Sequence, residues 1–391
     1  MIRGRTRAIQ GIRVGLAVSC AGLLAACGSQ RAAVTSPAPL AVTVPLSTSL
    51  ATAQGTWAVA VMGGSAAAYN NFWQLFVRPA GASRWSLVTP RGVADNGGLV
   101  AAGASTSLTV GFRPSQNLTY SPLATSTDTG KNWTPGLLDA DLADSPGAIA
   151  VSPSGRTLAL LQDGTITTAP TASAAAAGQW TPLTTRNALA ASAPGRSCGL
   201  TGVSAVSFGP NKDPMAAGSC ARPGVAGVFT DTGGSWRSAG LVLPGKGAGI
   251  GTVQVLGLAA TASGNVVLVA TGNSLLAAWW NGTRWTVSPP VTAGAVRALG
   301  FGADGSVWLL LGGGRVETIG GTGGSWQALP PVPSGTTTLA PPGTTTPAAG
   351  TGGAYDALAV SGSKLTVWRL AQGAWAKVQQ ITVPIVYGSS G

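Results

Sequence analysis

The chain has 391 residues, 23 Lys and Arg against 11 Asp and Glu, and no histidine; its formal charge is +12 although only 9% of it is charged. With 58 glycines, this is the composition of turns and half-buried strands and excludes a surface built from exposed helices. The cations are scattered singly, which excludes the basic stripe that a nucleic-acid binder needs, and the lack of histidine and of a paired CxxC argues against a metal site.

In chain order, the first segment, 1–26, carries Arg3, Arg5, Arg7 and Arg13 ahead of the uncharged run Val14 to Ala26, the layout of a secretory signal. Without these four arginines the balance falls to 19 basic against 11 acidic residues. The run ends Leu24-Ala25-Ala26-Cys27, which resembles the lipobox of bacterial lipoproteins; the resemblance implies cleavage after Ala26 and lipidation of Cys27, palmitate included. An ordinary signal with an incidental Cys27 is the alternative. Residues 27–54 are rich in Ala, Ser, Thr and Pro and read as a lipidated cysteine followed by a flexible tether.

From residue 55 to 391 the chain reads as one repeat domain. Trp85, Trp133, Trp180, Trp236, Trp285, Trp326 and Trp375 recur at similar intervals, each shortly after a glycine. A long fixed period means stacked or radially arranged units, because one unit cannot bury its own apolar face. Between the tryptophans, short apolar runs alternate with Gly, Pro, Asn and Ser, the pattern of a strand meander. The second unit predicts strands near 99–105, 107–113, 118–126 and 132–138. The charge-free stretch Val253 to Trp280 is cut by Ser263-Gly-Asn265 and Thr271-Gly-Asn273 into three strand-length pieces and not a membrane helix.

Cys198 and Cys220 flank an expected hairpin with its turn at Gly209 to Asp213, and in an oxidising compartment they read as a disulfide; two buried thiols are the alternative. A Pro/Thr-rich insertion is expected at about 331–353. The segment Ile381 to Tyr387 reads as an extra strand that completes the first unit and ties the ends of the ring. The expected fold is all-β, a seven-bladed β-propeller of four-stranded antiparallel blades, with six blades as the alternative.

The element Ser126-Thr-Asp128-Thr-Gly130-Lys-Asn-Trp133 resembles the Asp-box, or BNR repeat, of sialidase-like propellers, and a second copy keeps Asp231, Gly233 and Trp236 but has Phe229 in place of serine. In that group the Asp-box is a structural turn between the third and fourth strands. The resemblance places ligands at the opposite end, on loops joining the fourth strand to the next unit and the second strand to the third. On those loops the candidates are Asp95, Asp139, Asp141, Asp144, Asp163, Arg186, Arg196 and Arg222, with Lys246, Tyr69 and Asn70 nearby by loop type.

Sialidase chemistry needs an arginine triad and an activating glutamate, whereas Glu317 is the only glutamate and falls within a strand. No catalytic residue, cofactor or metal is assigned. The expected role is a monomeric, lipid-anchored extracytoplasmic binding or scaffold protein for an envelope protein or glycan. An exo-acting glycoside hydrolase using two of the loop carboxylates is the alternative.

Overall fold

The computed structural model describes residues 47–52, 54–63, 71–90, 99–104, 107–112, 123–136, 147–161, 163–171, 174–175, 179–244, 251–261, 264–321, 323–342 and 354–384. All lie within the unit Pro37–Gly391. The signal segment, Cys27 and the first part of the expected tether fall outside them.

The described strands form five separate sheets and one eight-stranded sheet made of two halves, so seven four-stranded antiparallel groups succeed one another. The first is β1 (Ser47–Thr52), β2 (Gly55–Gly63), β3 (Asn71–Pro79) and β4 (Ser86–Leu87). The second is β5 (Leu99–Ala104), β6 (Ser107–Phe112), β7 (Leu123–Ser126) and β8 (Thr134–Gly136). The third is β9 (Ala148–Val151), β10 (Thr157–Leu160), β11 (Ile166–Ala169) and β12 (Thr181–Thr184), followed by two short helices, α1 (Arg186–Ala191) and α2 (Ala193–Cys198).

The fourth is β13 (Leu200–Phe208), β14 (Pro214–Cys220), β15 (Val225–Thr232) and β16 (Ser235–Ser238), with β17 (Leu241–Val242) added on β15. The fifth is β18 (Gln254–Thr261), β19 (Gly264–Thr271), β20 (Ser274–Trp280) and β21 (Trp285–Val287), with β22 (Val291–Thr292) added on β20. The sixth is β23 (Val296–Phe301), β24 (Val307–Leu311), β25 (Val316–Ile319) and β26 (Gln327–Leu329). The seventh is β27 (Thr336–Ala340), β28 (Asp356–Ser361), β29 (Lys364–Ala371) and β30 (Ala374–Thr382).

Second strands are covered on both faces by neighbouring groups, so they read as unbroken apolar runs; in β19 every residue from Gly264 to Ala270 is buried. Outer strands meet water on one side, and in β30 exposed and half-buried residues are interspersed. The core is accordingly divided among the junctions. Trp57, Trp73 and Leu75 pack on Leu108 and Val110 between the first two groups, and Met215 and Val228 pack on Val267 and Leu276 between the fourth and fifth. Met62 and Phe76 pack on Leu358 and Val367, so the first group adjoins the seventh.

The recurrent tryptophans lock consecutive groups. Four indole N–H groups donate to a carbonyl in the segment after the preceding group's outer strand: Trp133 to Val88 at 2.8 Å, Trp285 to Ala239 at 2.7 Å, Trp326 to Pro289 at 2.9 Å and Trp375 to Pro330 at 3.0 Å. This joins a large apolar ring to a satisfied polar edge. Trp180 instead donates to Ala175 within its own group.

Trp85 has a different acceptor. Its indole N–H donates to Asp356 Oδ2 at 2.8 Å, and the same carboxylate receives Arg78 Nη1 at 2.7 Å and Arg369 Nε at 2.7 Å. Gln379 clasps the backbone of Trp85, accepting from its N–H at 2.8 Å and donating to its carbonyl at 2.9 Å. The first and seventh groups are thus joined by a buried carboxylate cluster.

This differs from the closure expected from the sequence. Ile381 and Thr382 extend the outer strand β30 and do not complete the first group. The innermost strand of the first group is β1, which lies inside the segment expected to be tether. It pairs antiparallel with β2 and also parallel with β23, with Ser47 opposite Ala298 and Leu50 opposite Phe301. The place is therefore already filled when the chain reaches Ile381. Likewise, β27 lies inside the expected Pro/Thr insertion, and residues 343–353 of that stretch are outside the described residues.

Candidate functional site

The strand order gives the ring two ends. One bears the turns from first to second and from third to fourth strands; the other bears the second-to-third turns and the connections between groups.

At the first end, Asp128 sits in a turn built around its carboxylate. Its Oδ1 accepts from the Asn132 backbone N–H at 2.9 Å and from the Ser126 hydroxyl at 2.8 Å, while Oδ2 accepts from the Asn132 side-chain amide at 2.6 Å. Ser126 Oγ in turn accepts from Gly130 N–H at 2.9 Å, and Gly130 has φ 84°. These donors, the Asn132 N–H first, pull the Asp128 carboxyl down to about 2. A carboxylate so saturated is a turn fastener.

Asp231, at the matching sequence position, does something else. It is a strand residue opposite Trp236 in a tight hairpin whose turn is Gly233 and Gly234, both at positive φ. Thr125 pairs with Thr134, whereas the Val228 carbonyl accepts from Ala239 N–H, two residues beyond the Arg237 that the first geometry would give. The reason is local: Phe229, buried in the core, replaces the hydroxyl that would hold the glycine N–H, and a Gly-Gly pair favours the tight turn. Trp236 packs against the cluster between the third and fourth groups.

At the second end, Asp163 accepts from Thr165 N–H at 2.8 Å and Thr165 Oγ1 at 2.9 Å, so its carboxylate is tied into its own turn. The next connection lies over that turn, with Arg186 N–H donating to Gly164 O at 2.9 Å. It continues as α1 and α2. Thr185 caps the first through Ala188 N–H, Ser192 caps the second through Gly195 N–H, and Gly199, at φ 67°, ends it.

Cys198 closes α2 and stands at disulfide distance from Cys220, with Cα atoms 5.4 Å apart. The pair fastens the helical connection to the β14–β15 turn, where Arg222 N–H donates to Cys198 O at 3.2 Å and Ala221 N–H to Gly199 O at 2.8 Å. Arg186, Arg196 and Arg222 are all exposed there. Arg196 also donates to the Ala191 carbonyl at the end of α1.

Two further arginines at this end were not among the candidates. A bulge between Val296 and Ala298 sets Arg297 out of the ladder and exposes it at the start of β23. Arg315, in the β24–β25 turn, donates to Thr292 O and lies 3.6 Å from Glu317. A lone cation in an apolar inner strand was the only sequence signal for Arg297. Asp95, Asp139, Asp141, Asp144, Lys246, Tyr69 and Asn70 lie outside the described residues. Among the described residues no group of metal-binding side chains occurs.

No protein-family model matches the sequence, and no curated protein does. Among solved structures, a 6-phosphogluconolactonase candidate from Bacteroides uniformis ATCC 8492 matches with a TM-score of 0.50 at 12% identity, over 84% of this chain and 97% of that one. YCF48 bound to a D1 peptide matches with 0.47 at 16% identity, over 82% and 92%. YCF48 from Cyanidioschyzon merolae matches with 0.44 at 16% identity, over 86% and 97%. At such identities a likeness speaks of fold and not of activity. The chain is an all-β protein of propeller-like fold.

Proposed function

We propose that this protein is a lipid-anchored extracytoplasmic β-propeller, its seven groups closing one ring, that binds an envelope protein or glycan through the end opposite the Asp128 turn. Cleavage after Ala26 and acylation of Cys27 supply the anchor. The reading is carried by one observation: α1, α2 and the Arg222 turn form a capped, cross-linked platform presenting Arg186, Arg196 and Arg222. A platform fixed before binding loses little conformational entropy when a partner arrives. Arginine suits carboxylate, phosphate and sugar hydroxyl partners.

The test uses the whole protein in detergent, immobilised and exposed to envelope extract, beside R196E/R222E. Wild type is expected to retain a defined protein or glycan that the double variant loses. Equal retention by both, or none by either, refutes the reading. Separately, Cys27→Ala is expected to release the chain from the membrane fraction or to leave an unprocessed precursor. Normal processing with full membrane retention would refute the anchor.

A further inference from the structure

The turn from β20 to β21 is Asn281-Gly-Thr-Arg284, exposed throughout. Asn-Gly occurs in the chain at 96–97 and 281–282, and the second pair lies among the described residues. The side-chain oxygen of Asn281 accepts from Thr283 N–H at 3.0 Å, from Thr283 Oγ1 at 2.9 Å and from Arg284 N–H at 2.9 Å. Backbone N–H groups only donate, so the atom they meet is the amide oxygen and the other is the nitrogen. Among the described residues, neither Asn281 Nδ2 nor the Gly282 N–H meets an acceptor. Gly282 has φ 96°, and a Cβ placed there would meet nothing within 4 Å.

A backbone nitrogen with a free proton and no side chain to shield it thus follows directly on an amide carbon. The oxygen of that amide is already held by donors, and its nitrogen is open to water. We infer that Asn281 converts spontaneously to aspartate and isoaspartate through a cyclic imide, and that its own turn promotes the step. Hydroxide takes the Gly282 N–H proton, Gly282 N bonds to Asn281 Cγ, and negative charge develops on Oδ1, where the Thr283 and Arg284 donors stabilise it. The Cγ–Nδ2 bond then breaks, and Nδ2 takes a proton from water and leaves as ammonia. Water opens the imide: attack at Cγ leaves aspartate, and attack at the main-chain carbonyl of residue 281 leaves isoaspartate.

The modified turn serves a junction of the ring. Trp280 and Trp285 face each other across it, with ring centroids 5.2 Å apart, and the Trp285 indole N–H makes the 2.7 Å bond to Ala239 that locks the fifth group to the fourth. Isoaspartate adds an atom to the main chain of a turn closed by Asn281 N–H on Arg284 O. It therefore shifts Trp285 against Trp280 and loosens the bond to Ala239.

The experiment incubates the whole protein at mildly alkaline pH, native or unfolded in urea, and follows residue 281 by peptide mass spectrometry, with isoaspartate labelled by an isoaspartyl methyltransferase. The native protein is expected to convert Asn281 at least about three-fold faster than the unfolded chain, a factor within reach of one net hydrogen bond gained in the transition state. Thr283→Val keeps the shape but removes the hydroxyl donor. It should slow the native reaction by about the same factor and leave the unfolded rate unchanged, and Thr283→Ser should restore the native rate. Isoaspartate should accompany aspartate in every sample. In the isolated isoaspartyl form, the Trp285 indole N–H should exchange faster with solvent than in the starting protein.

A native rate at or below the unfolded one overturns the inference, as do equal native rates for wild type and T283V, or aspartate formed without isoaspartate. Unchanged exchange at Trp285 in the isoaspartyl form overturns the effect on the junction. The comparison of native with unfolded rates is made on the wild type, so it holds whatever a substitution does to folding.

Discussion

Asp356→Asn tests how the ring is closed. Asp356 is wholly buried, Arg78 is only 11% exposed and Arg369 24%. Burial lowers the pKa of Arg78, and the attraction of Asp356 opposes that loss; hydrogen bonding to the same carboxylate raises Arg369. The substitution keeps the shape but removes the charge, and an amide nitrogen then faces guanidinium groups. Breaking a buried pair by removing one partner costs about 3–5 kcal/mol. Arg369 has some access to water and the amide keeps one acceptor, which places the loss near the lower value, about 3 kcal/mol.

Urea unfolding followed by tryptophan fluorescence measures this loss, and hydrogen exchange locates it. Protection should fall first in β2, β3, β28 and β29, where the first and seventh groups meet. A companion variant, R78M/D356L/R369M, replaces all three charges by apolar side chains and should recover much of the loss, because no charge is left buried without a partner. A D356N penalty below about 1 kcal/mol, or a triple variant less stable than D356N, would refute the reasoning.

Three further outcomes are expected. The Cys198–Cys220 link spans 22 residues, and Cys220→Ser should cost about 3 kcal/mol in urea unfolding while raising proteolytic cutting within α1 and α2. A Cβ on Gly300 would lie 2.4 Å from the Trp308 ring, so Gly300→Ala should cost about 1–3 kcal/mol and loosen the β1–β23 pairing. Burial, aided by Asp304, pushes the Tyr355 hydroxyl up to about 12. Its folded pKa is raised, so its contribution is full below the unfolded value of about 10 and is lost as pH rises toward 12. Tyr355→Phe should flatten that part of the pH–stability curve, and absorbance titration at 295 nm should show one tyrosine ionising near 12.

Much of the fold was legible because its signals are local. Glycine-bounded apolar runs became strands, as in β18, β19 and β20, and the hairpin between Cys198 and Cys220 formed as its turn residues imply. The closure was not legible. Ser47-Thr-Ser-Leu-Ala-Thr52 is small and polar and becomes a strand only because β2 and the distant β23 supply partners on both edges. Asp231 shows the same limit at a motif, since the difference from Asp128 lies in hairpin register and in the neighbour Phe229. At the candidate site, residue type singled out Arg186, Arg196 and Arg222. Arg297 depended on a bulge that no local pattern announces.

The double pairing of β1 also sets how the molecule bears load. A pull on the chain ahead of Ser47 acts along the strand, across perpendicular hydrogen bonds to the antiparallel β2 on one edge and slanted ones to the parallel β23 on the other. Those bonds are strained together in shear, whereas an outer strand peeled from its free edge would lose them one at a time. The start of β1 is therefore placed to resist traction along the chain, where an edge strand would yield to peeling.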